Sequence, residues 1–246
     1  MTDERFERSR ALLGDAAFKR LANAHVAIFG VGGVGGWCAE ALLRTGVRHL
    51  TLIDDDAVAP SNINRQRQAT PTTIGRPKVE VLRELLLEIV PAAQIAARAE
   101  RYTQQNAASF DATISGADVV IDAIDSVDCK SQLMLQCAER TNAAGQTAPA
   151  RRTAPILLSS LGAALRTDPT RIRTAPFHKV AGDGLARALR NRFRKMNLPL
   201  PMHLCVYSEE LPAKQPESVK GSIMPVTCAF GMALASLAIR HLAEQT

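Results

Sequence analysis

Residues 25–43 read HVAIFGVGGVGGWCAEALL, and this stretch decides the fold. The apolar run Val26–Phe29 is typical of a buried strand, and it ends at Gly30. Glycines then allow a tight turn and let backbone N–H groups approach a phosphate, which the N-terminus of the following helix also favours. The stretch therefore predicts a strand, a glycine-rich loop and a helix that together bind a nucleotide. An NAD-dependent dehydrogenase would show the same glycines, so the loop alone does not identify the ligand.

The rest of the chain alternates short apolar strands with helices. Further strands are predicted at Leu50–Ile53, Gln94–Glu100, Val119–Ile121 and Pro155–Ser160. Helices are predicted at Arg5–Arg20, Gly35–Gly46, Pro77–Pro91 and Ser126–Arg140. This alternation predicts an α/β fold with a doubly wound, mostly parallel, Rossmann-like sheet. Residues 141–150, TNAAGQTAPA, predict a flexible insertion.

After Gly162 the pattern changes. Two short strands and a basic helix are predicted at Arg171–Thr174, Leu204–Tyr207 and Leu185–Met196. We therefore predict an ATP-binding domain over residues 1–162 and a substrate-binding extension of short strands and helices over residues 163–246, packed on the same domain.

Cysteine usage and hydropathy indicate a cytoplasmic protein. The five cysteines are scattered and form no CxxC pair, which argues for a reducing compartment and against structural zinc. No basic stretch followed by an apolar core opens the chain, so we expect no secretory signal. The apolar run Val226–Ile239 is shorter than the roughly 20 residues that span a bilayer. It predicts a buried core helix, with peripheral membrane contact left open.

Positive charge is concentrated in one segment. Residues 151–195 contain eleven Lys or Arg and two Asp, in a chain whose net charge is +6. This excess suggests a polyanionic substrate such as RNA, and a solvated or dimer-facing surface is the alternative. Helical spacing places Leu185, Leu189, Phe193 and Met196 on one face of the basic helix. The opposite face carries the candidate contacts to RNA phosphates, Arg187, Arg190 and Arg194.

A carboxylate and two cations extend the nucleotide site. Asp54 ends the second strand, where a carboxylate accepts hydrogen bonds from ribose hydroxyls. Arg65 and Lys78 supply the fixed charges that a triphosphate needs. For Asp56 the alternative is an ordinary solvated loop carboxylate. The predicted nucleotide-binding residues are Gly30, Gly32, Gly33, Gly35, Asp54, Asp56, Asn62, Asn64, Arg65, Gln66, Lys78, Asp122 and Asp125.

Two further carboxylates follow the fourth strand, at the sheet edge where ligands bind. Either could hold Mg²⁺ on the phosphates. Asp122 could instead cap the next helix, and Asp125 lies farther along the loop, so Asp125 is the predicted Mg²⁺ ligand. Cys205 is the cysteine nearest to predicted loop edges, but packing is the favoured interpretation of every cysteine and histidine.

These motifs resemble a known family. GxGGVGG, LIDDD, NINRQ, IGRPKVE and VVIDAIDS occur in the order typical of the ThiF/MoeB/ubiquitin-activating adenylyltransferases, over roughly Arg5–Gly162. The remainder, with SSLGAALRTDPTRIRT, CVYSEE and GSIMPVTCAFG, resembles the branch that dehydrates N6-threonylcarbamoyladenosine in bacterial tRNA.

The resemblance implies a ligase-type enzyme that adenylates a carboxylate with ATP and Mg²⁺, with tRNA as the substrate. It implies Arg65, Lys78, Asp125 and Arg8 as catalytic residues, with Arg8 reaching into the partner's site across a homodimer. It implies neither zinc nor DNA binding. A cysteine desulfurase or sulfur-acceptor partner is left open. The alternative function is activation of a ubiquitin-like sulfur carrier, which the missing CxxC pairs disfavour.

Overall fold

The computed structural model describes residues 3–147, 154–214 and 220–244, and within the helix Val127–Thr147 it describes the side chains up to residue 140. Its described strands form one sheet in the order β3-β2-β1-β4-β5-β7-β6. These strands are β1 (His25–Phe29), β2 (His49–Ile53), β3 (Gln94–Arg98), β4 (Val119–Asp122), β5 (Ile156–Ser160), β6 (Ile172–Pro176) and β7 (Leu204–Ser208). Every neighbouring pair is parallel except β6 and β7. The predicted doubly wound, mostly parallel sheet is confirmed.

Helices cover both faces of the sheet. They are α1 (Glu7–Leu13), α2 (Asp15–Asn23), α3 (Gly35–Thr45), α4 (Lys78–Ile89), α5 (Asp111–Gly116), α6 (Val127–Thr147), α7 (Gly184–Lys195) and α8 (Met224–Glu244). One apolar layer packs α2, α3, α4 and α8 on the sheet, and a second packs α5, α6 and α7 on the opposite face. Strands buried on both faces explain the continuous apolar runs in the sequence.

The sheet register brings several strand ends together. Phe29 pairs with Ile53 on one side and with Asp122 on the other, and Asp122 pairs with Ser159. After β1 the chain moves outward to β2 and β3, then returns to place β4 on the opposite side of β1. The connections that leave β1 and β4 therefore diverge, which opens a cleft at the carboxyl edge of the sheet.

Helix α8 is longer than the apolar run predicts. It has 21 residues and is long and apolar enough to cross a membrane by length and composition alone, so the judgement that the run is too short was wrong. Its inner face is buried against α3, α2 and the sheet, with Val226, Phe230 and Leu234 fully shielded from solvent. At Gly231 an added Cβ would lie 2.5 Å from the carbonyl oxygen of Val34, so the two helices approach closely. The helix is part of the core, as predicted.

Two other expectations require correction. The predicted helix Arg5–Arg20 is broken at Gly14, whose φ of +82° is incompatible with a continuous helix. Leu12 is 84% exposed, whereas Phe6 and Phe18 pack with ring centroids 5.6 Å apart. The predicted insertion 141–150 is helical as far as Thr147, and residues 148–150 lie outside the described part of the chain.

Candidate active site

A cleft of about 730 Å³ lies where the connections that leave β1 and β4 diverge. One wall consists of the glycine loop, the residues after β2 and the loop around residue 65. Residues 160–166 and the start of α7, which we call the far wall, complete the lining together with part of the segment before α8. The nucleotide motifs and the later part of the chain therefore line one cavity.

Three of the four predicted glycines line this cleft: Gly30, Gly32 and Gly33. Gly30 has a φ of +88°, and a Cβ there would lie 2.7 Å from the carbonyl oxygen of Ala123, so any side chain is excluded. Gly35 lies outside the cleft, because its Cα packs against the loop and a Cβ would lie 1.9 Å from the oxygen of Gly30. The prediction of Gly35 as a ligand contact is therefore corrected to a packing role.

Asp54 is fixed in orientation by two backbone donors. Its Oδ2 accepts a hydrogen bond from the N–H of Val31 (2.8 Å), and its Oδ1 accepts one from the N–H of Asp56 (2.9 Å). Burial raises the pKa of Asp54, while the charge of Lys78 and these hydrogen bonds oppose the shift. The carboxylate thus ties the glycine loop to the end of β2 and still borders the cleft.

The two predicted phosphate cations occupy the same wall. Lys78 begins α4, is largely buried, and places its Nζ 2.6 Å from Oδ2 of Asp56. Arg65 donates through Nη1 to the carbonyl of Ser61 and to Oδ1 of Asn64, both at 2.9 Å. Its own carbonyl accepts from the indole N–H of Trp37 (3.0 Å). Both cations are held in place and both border the cleft.

The amide side chains divide into two groups. Asn62 and Gln66 line the cleft, and Oε1 of Gln66 is buried without a hydrogen-bond partner among the described residues. Asn64 does not line it: its Nδ2 donates to the carbonyl of Ser222 (2.8 Å) while its Oδ1 receives Arg65. The structure therefore gives Asn64 the role of orienting Arg65 instead of contacting a ligand.

The two aspartates after β4 differ sharply. Asp122 is fully buried outside the cleft, where it accepts from Nζ of Lys130 (2.7 Å) and from the hydroxyl of Ser159 (2.9 Å). The structure therefore places Asp122 in a buried ion pair instead of on the cleft lining, and Asp122 does not cap the next helix, because α6 begins only at Val127. Asp125 is exposed in the cleft and forms no hydrogen bond within the described chain. Its carboxylate is available to a ligand.

None of the residues of the far wall was predicted from the sequence as a site residue. Arg166 and Asp183 form a buried ion pair with Nη2 and Oδ2 3.1 Å apart. Arg166 also donates to the carbonyls of Gly162, Ala164 and Glu210. Asp183 accepts from the N–H of Gly162 (3.1 Å) and caps α7 by accepting from the N–H of Ala186 (2.8 Å). An aspartate directly before a predicted helix is typical of an N-cap, so Asp183 was the one residue of this wall with a local signal in the sequence.

Further unpredicted features complete this wall and the cleft rim. Leu165 has a φ of +63°, and backbone hydrogen bonds to Gly221 and Ala213 hold it there. Arg101 and Lys220 bring two more cations to the cleft. Carboxylates line the same cavity, so these cations offer local contacts for phosphate groups and do not give the cavity a net positive charge.

The remaining predicted residues lie away from the cleft. Arg8 is exposed on α1, and Arg187 and Arg194 are exposed on α7. Arg190 instead donates to the carbonyl of Val180 (2.9 Å) and lies over the Phe177 ring. The structure therefore gives Arg190 a structural role in place of the predicted contact with RNA phosphates. A second groove, of about 430 Å³, is lined by Arg190, Arg194 and residues 197–200.

Two smaller expectations about packing have different outcomes. Met196, expected on the buried face of α7, is its C-terminal cap and is 41% exposed. Cys205 is fully buried, and burial raises the pKa of its thiol. Packing is therefore the role of Cys205, as favoured from the sequence.

Comparisons with known proteins agree with this geometry. The ThiF family model matches residues 6–246. The tRNA threonylcarbamoyladenosine dehydratase of Bacillus subtilis is 35% identical over 89% of this chain and 80% of its own length. The crystal structure of Escherichia coli tRNA N6-threonylcarbamoyladenosine dehydratase, TcdA, in complex with AMP superposes with a TM-score of 0.87 at 33% identity, covering 97% of this chain and 94% of that chain. The complex of that enzyme with ATP gives a TM-score of 0.85 at 33% identity, covering 97% and 93%.

Proposed function

Since this chain belongs to the ThiF family, we propose that it uses ATP to dehydrate and cyclise N6-threonylcarbamoyladenosine in tRNA. One observation carries the proposal: Asp54, Arg65, Lys78 and Asp125 meet around the glycine loop in a single cleft. Similarity over most of the chain to dehydratases of that name, including structures with ATP and AMP, supports the same conclusion.

The proposed reaction has two steps. An oxygen of the substrate carboxylate attacks the α-phosphorus of ATP, the bond to the β-phosphate breaks, and pyrophosphate leaves. The carbamoyl group of the same nucleoside then attacks the activated carbonyl carbon, AMP leaves with the bonding electron pair, and one proton is lost. Because the substrate supplies the attacking group, no enzyme nucleophile is required, which agrees with the burial of Cys205.

Each wall has a distinct task in this proposal. Asp54 accepts ribose hydroxyls, and Asn62 and Gln66 donate to the nucleotide. Arg65 and Lys78 stabilise charge that develops on the phosphates, an effect that preorganised groups supply without reorganisation. In functional terms residues 1–162 bind ATP, and residues 163–246 receive the substrate.

Magnesium is a proposed companion of ATP. The exposed carboxylate of Asp125, free of protein partners in the described chain, is the oxygen donor that Mg²⁺ prefers. When bound, Mg²⁺ would neutralise charge on the phosphates. Asp125 would hold it, and Arg65 and Lys78 would bind the remaining phosphate oxygens.

The tRNA is proposed to lie across α7. Arg187 and Arg194 are exposed on this helix, while its N-terminus borders the cleft at Gly184. An RNA backbone bound along these exposed arginines would thus bring a nucleoside to the cavity.

We also propose a cytoplasmic homodimer in which Arg8 contributes to the partner's site.

The direct experiment is mass spectrometry of tRNA nucleosides from a deletion strain. Loss of the cyclised nucleoside, restored by the wild-type gene but not by Asp125→Asn, is the expected result. Normal levels of the cyclised nucleoside in the deletion strain would overturn the substrate assignment. Formation of AMP and pyrophosphate by the purified enzyme with modified tRNA, tested beside a ubiquitin-like carrier protein, separates this function from the weaker alternative of carrier activation. Calorimetry with ATP–Mg²⁺ and with NAD tests the dehydrogenase alternative.

A further inference from the structure

A buried lysine lies beneath the floor of the cleft, and the proposed chemistry does not use it. Lys130 lies on α6, and its side chain is fully shielded from solvent. Burying an ammonium group is costly unless it is paired and hydrogen-bonded. Its Nζ donates to Oδ1 of Asp122 (2.7 Å), to the carbonyl of Ile124 (2.9 Å) and, at 3.3 Å, to the carbonyl of Asp122.

All three acceptors belong to the segment that leaves β4 and leads to Asp125. An ammonium has three N–H donors, so this one segment takes every one of them. The segment is also held from other directions. The N–H of Ala123 donates to the carbonyl of Phe29 (2.8 Å), and the N–H of Ile124 donates to Oδ1 of Asp122 (3.2 Å). Asp125 is the next residue, so the backbone that leads to it is held in place as far as Ile124.

The same carboxylate connects three adjacent strands. Asp122 ends β4, and its Oδ2 accepts the hydroxyl hydrogen of Ser159 on β5. That hydroxyl oxygen lies 2.9 Å from Nε2 of His203, just before β7, so Nε2 donates to it. Nδ1 of His203 is buried without a partner among the described residues, consistent with a neutral ring. A chain of polar contacts thus runs from Lys130 on α6 through Asp122 and Ser159 to His203.

We propose that Lys130 is a positioning residue for Asp125. Its three hydrogen bonds hold the Asp122–Ile124 backbone so that the Asp125 carboxylate is presented to the metal–phosphate end of the nucleotide. This inference rests on the proposed function, because the orientation of Asp125 matters only if the cleft binds ATP with Mg²⁺. Positioning groups of this kind tune metal affinity without touching the metal.

The test compares ATP affinity with and without Mg²⁺ in a variant that removes the whole ion pair. Removing Lys130 alone would leave Asp122 charged and buried, which destabilises the fold. The double variant Lys130→Met/Asp122→Asn is neutral and keeps an oxygen that accepts from Ser159. Calorimetry of ATP binding in excess Mg²⁺ and in EDTA gives the affinity gain due to the metal. We expect wild-type affinity for metal-free ATP and a gain from Mg²⁺ that is reduced roughly 10- to 100-fold.

A matched control separates positioning from general stability. Gln136 is also buried on α6, where it bonds to Tyr102 and Asp111, and it has no hydrogen bond to the 122–125 segment. Gln136→Met is expected to lower the unfolding temperature and leave the Mg²⁺ gain unchanged. An equal loss of the gain in Gln136→Met, or an unchanged gain in the folded double variant, would overturn the assignment of Lys130. If the wild-type protein binds no ATP, or gains nothing from Mg²⁺, the proposed function itself fails.

Discussion

The buried pair between Arg166 and Asp183 gives a prediction whose size can be worked out from its contacts. Both side chains are almost completely buried, and the Asp183 carboxylate also accepts from the N–H groups of Gly162 and Ala186. Removing one partner of a buried pair costs about 3–5 kcal/mol, because the other charge stays buried. Loss of a helix cap costs about 1 kcal/mol. Asp183→Asn tests the charge with a capping oxygen retained, and Asp183→Ala removes both.

We expect Asp183→Asn to lower the free energy of unfolding by about 3 kcal/mol, and Asp183→Ala by about 1 kcal/mol more. Guanidinium denaturation with an unchanged slope against denaturant measures both values. Arg166→Met should cost less when combined with Asp183→Asn than alone, since the double variant leaves no unpaired charge. Asp168→Ala is the control: this partly exposed cap precedes a short 3-10 turn and accepts from the N–H of Thr170, and its loss should be small. A cost below about 1 kcal/mol for Asp183→Asn would refute the reasoning, because an ion pair that is truly desolvated cannot be broken so cheaply.

Three further predictions follow from the site and the surface. Arg65→Met should lower kcat/KM for AMP formation by about 10²–10³ with the fold retained, as for removal of a preorganised donor. Asp125→Asn removes the proposed Mg²⁺ ligand and should lower kcat/KM by a similar factor, and steady-state kinetics with circular dichroism measures both values. Asn62→Leu is a comparison in which KM for ATP should rise more than kcat falls. For tRNA binding, Arg187→Gln and Arg194→Gln should each reduce the slope of log affinity against log salt by about 1, whereas Arg190→Gln should lower the unfolding temperature and leave the slope unchanged. Equal slopes in all three variants would place the RNA elsewhere. Burial lowers the pKa of His203 to about 3, with the charge of Lys130 adding to the shift. The unfolded chain therefore binds a proton that the folded chain rejects, and stability should fall as the pH drops from about 6.5 towards 3, at up to about 1.4 kcal/mol per pH unit. His203→Gln should flatten this part of the stability profile, measured by denaturation at several pH values.

The parts of the site that could be predicted from sequence are those governed by local geometry. Gly30 is required by its positive φ and by the nearby Ala123 carbonyl, and Asp54 follows directly from the end of a buried strand. Both constraints appear as residue types at fixed spacing. Residue type and spacing could not distinguish the packing roles of Gly35 and Asp122 from contacts with a ligand. Both residues lie beside residues that do line the cleft, and only the folded backbone determines that these two face away from it.

The far wall could not be predicted because it is made by tertiary contacts. Arg166 and Asp183 meet across an irregular loop, and neither residue has a periodic neighbourhood that would indicate burial of a charge. Arg190 was misassigned for a related reason: helical spacing gave its face but not the carbonyls of Phe177 and Val180 that lie within its reach. The break at Gly14 was missed because apolar spacing on both sides resembled one continuous helix.

The packing of α8 against α3 has a consequence for how the protein is made. Helix α3 follows β1 in the chain, and the helix that covers it follows β7, so most of the sheet lies between them in sequence. During synthesis the apolar side of α3 stays uncovered until the intervening strands and helices have been made. Contacts between such distant segments are slow to form because a long loop must close first. Apolar surface of the nascent chain thus stays exposed while the intervening sheet is made, which favours aggregation.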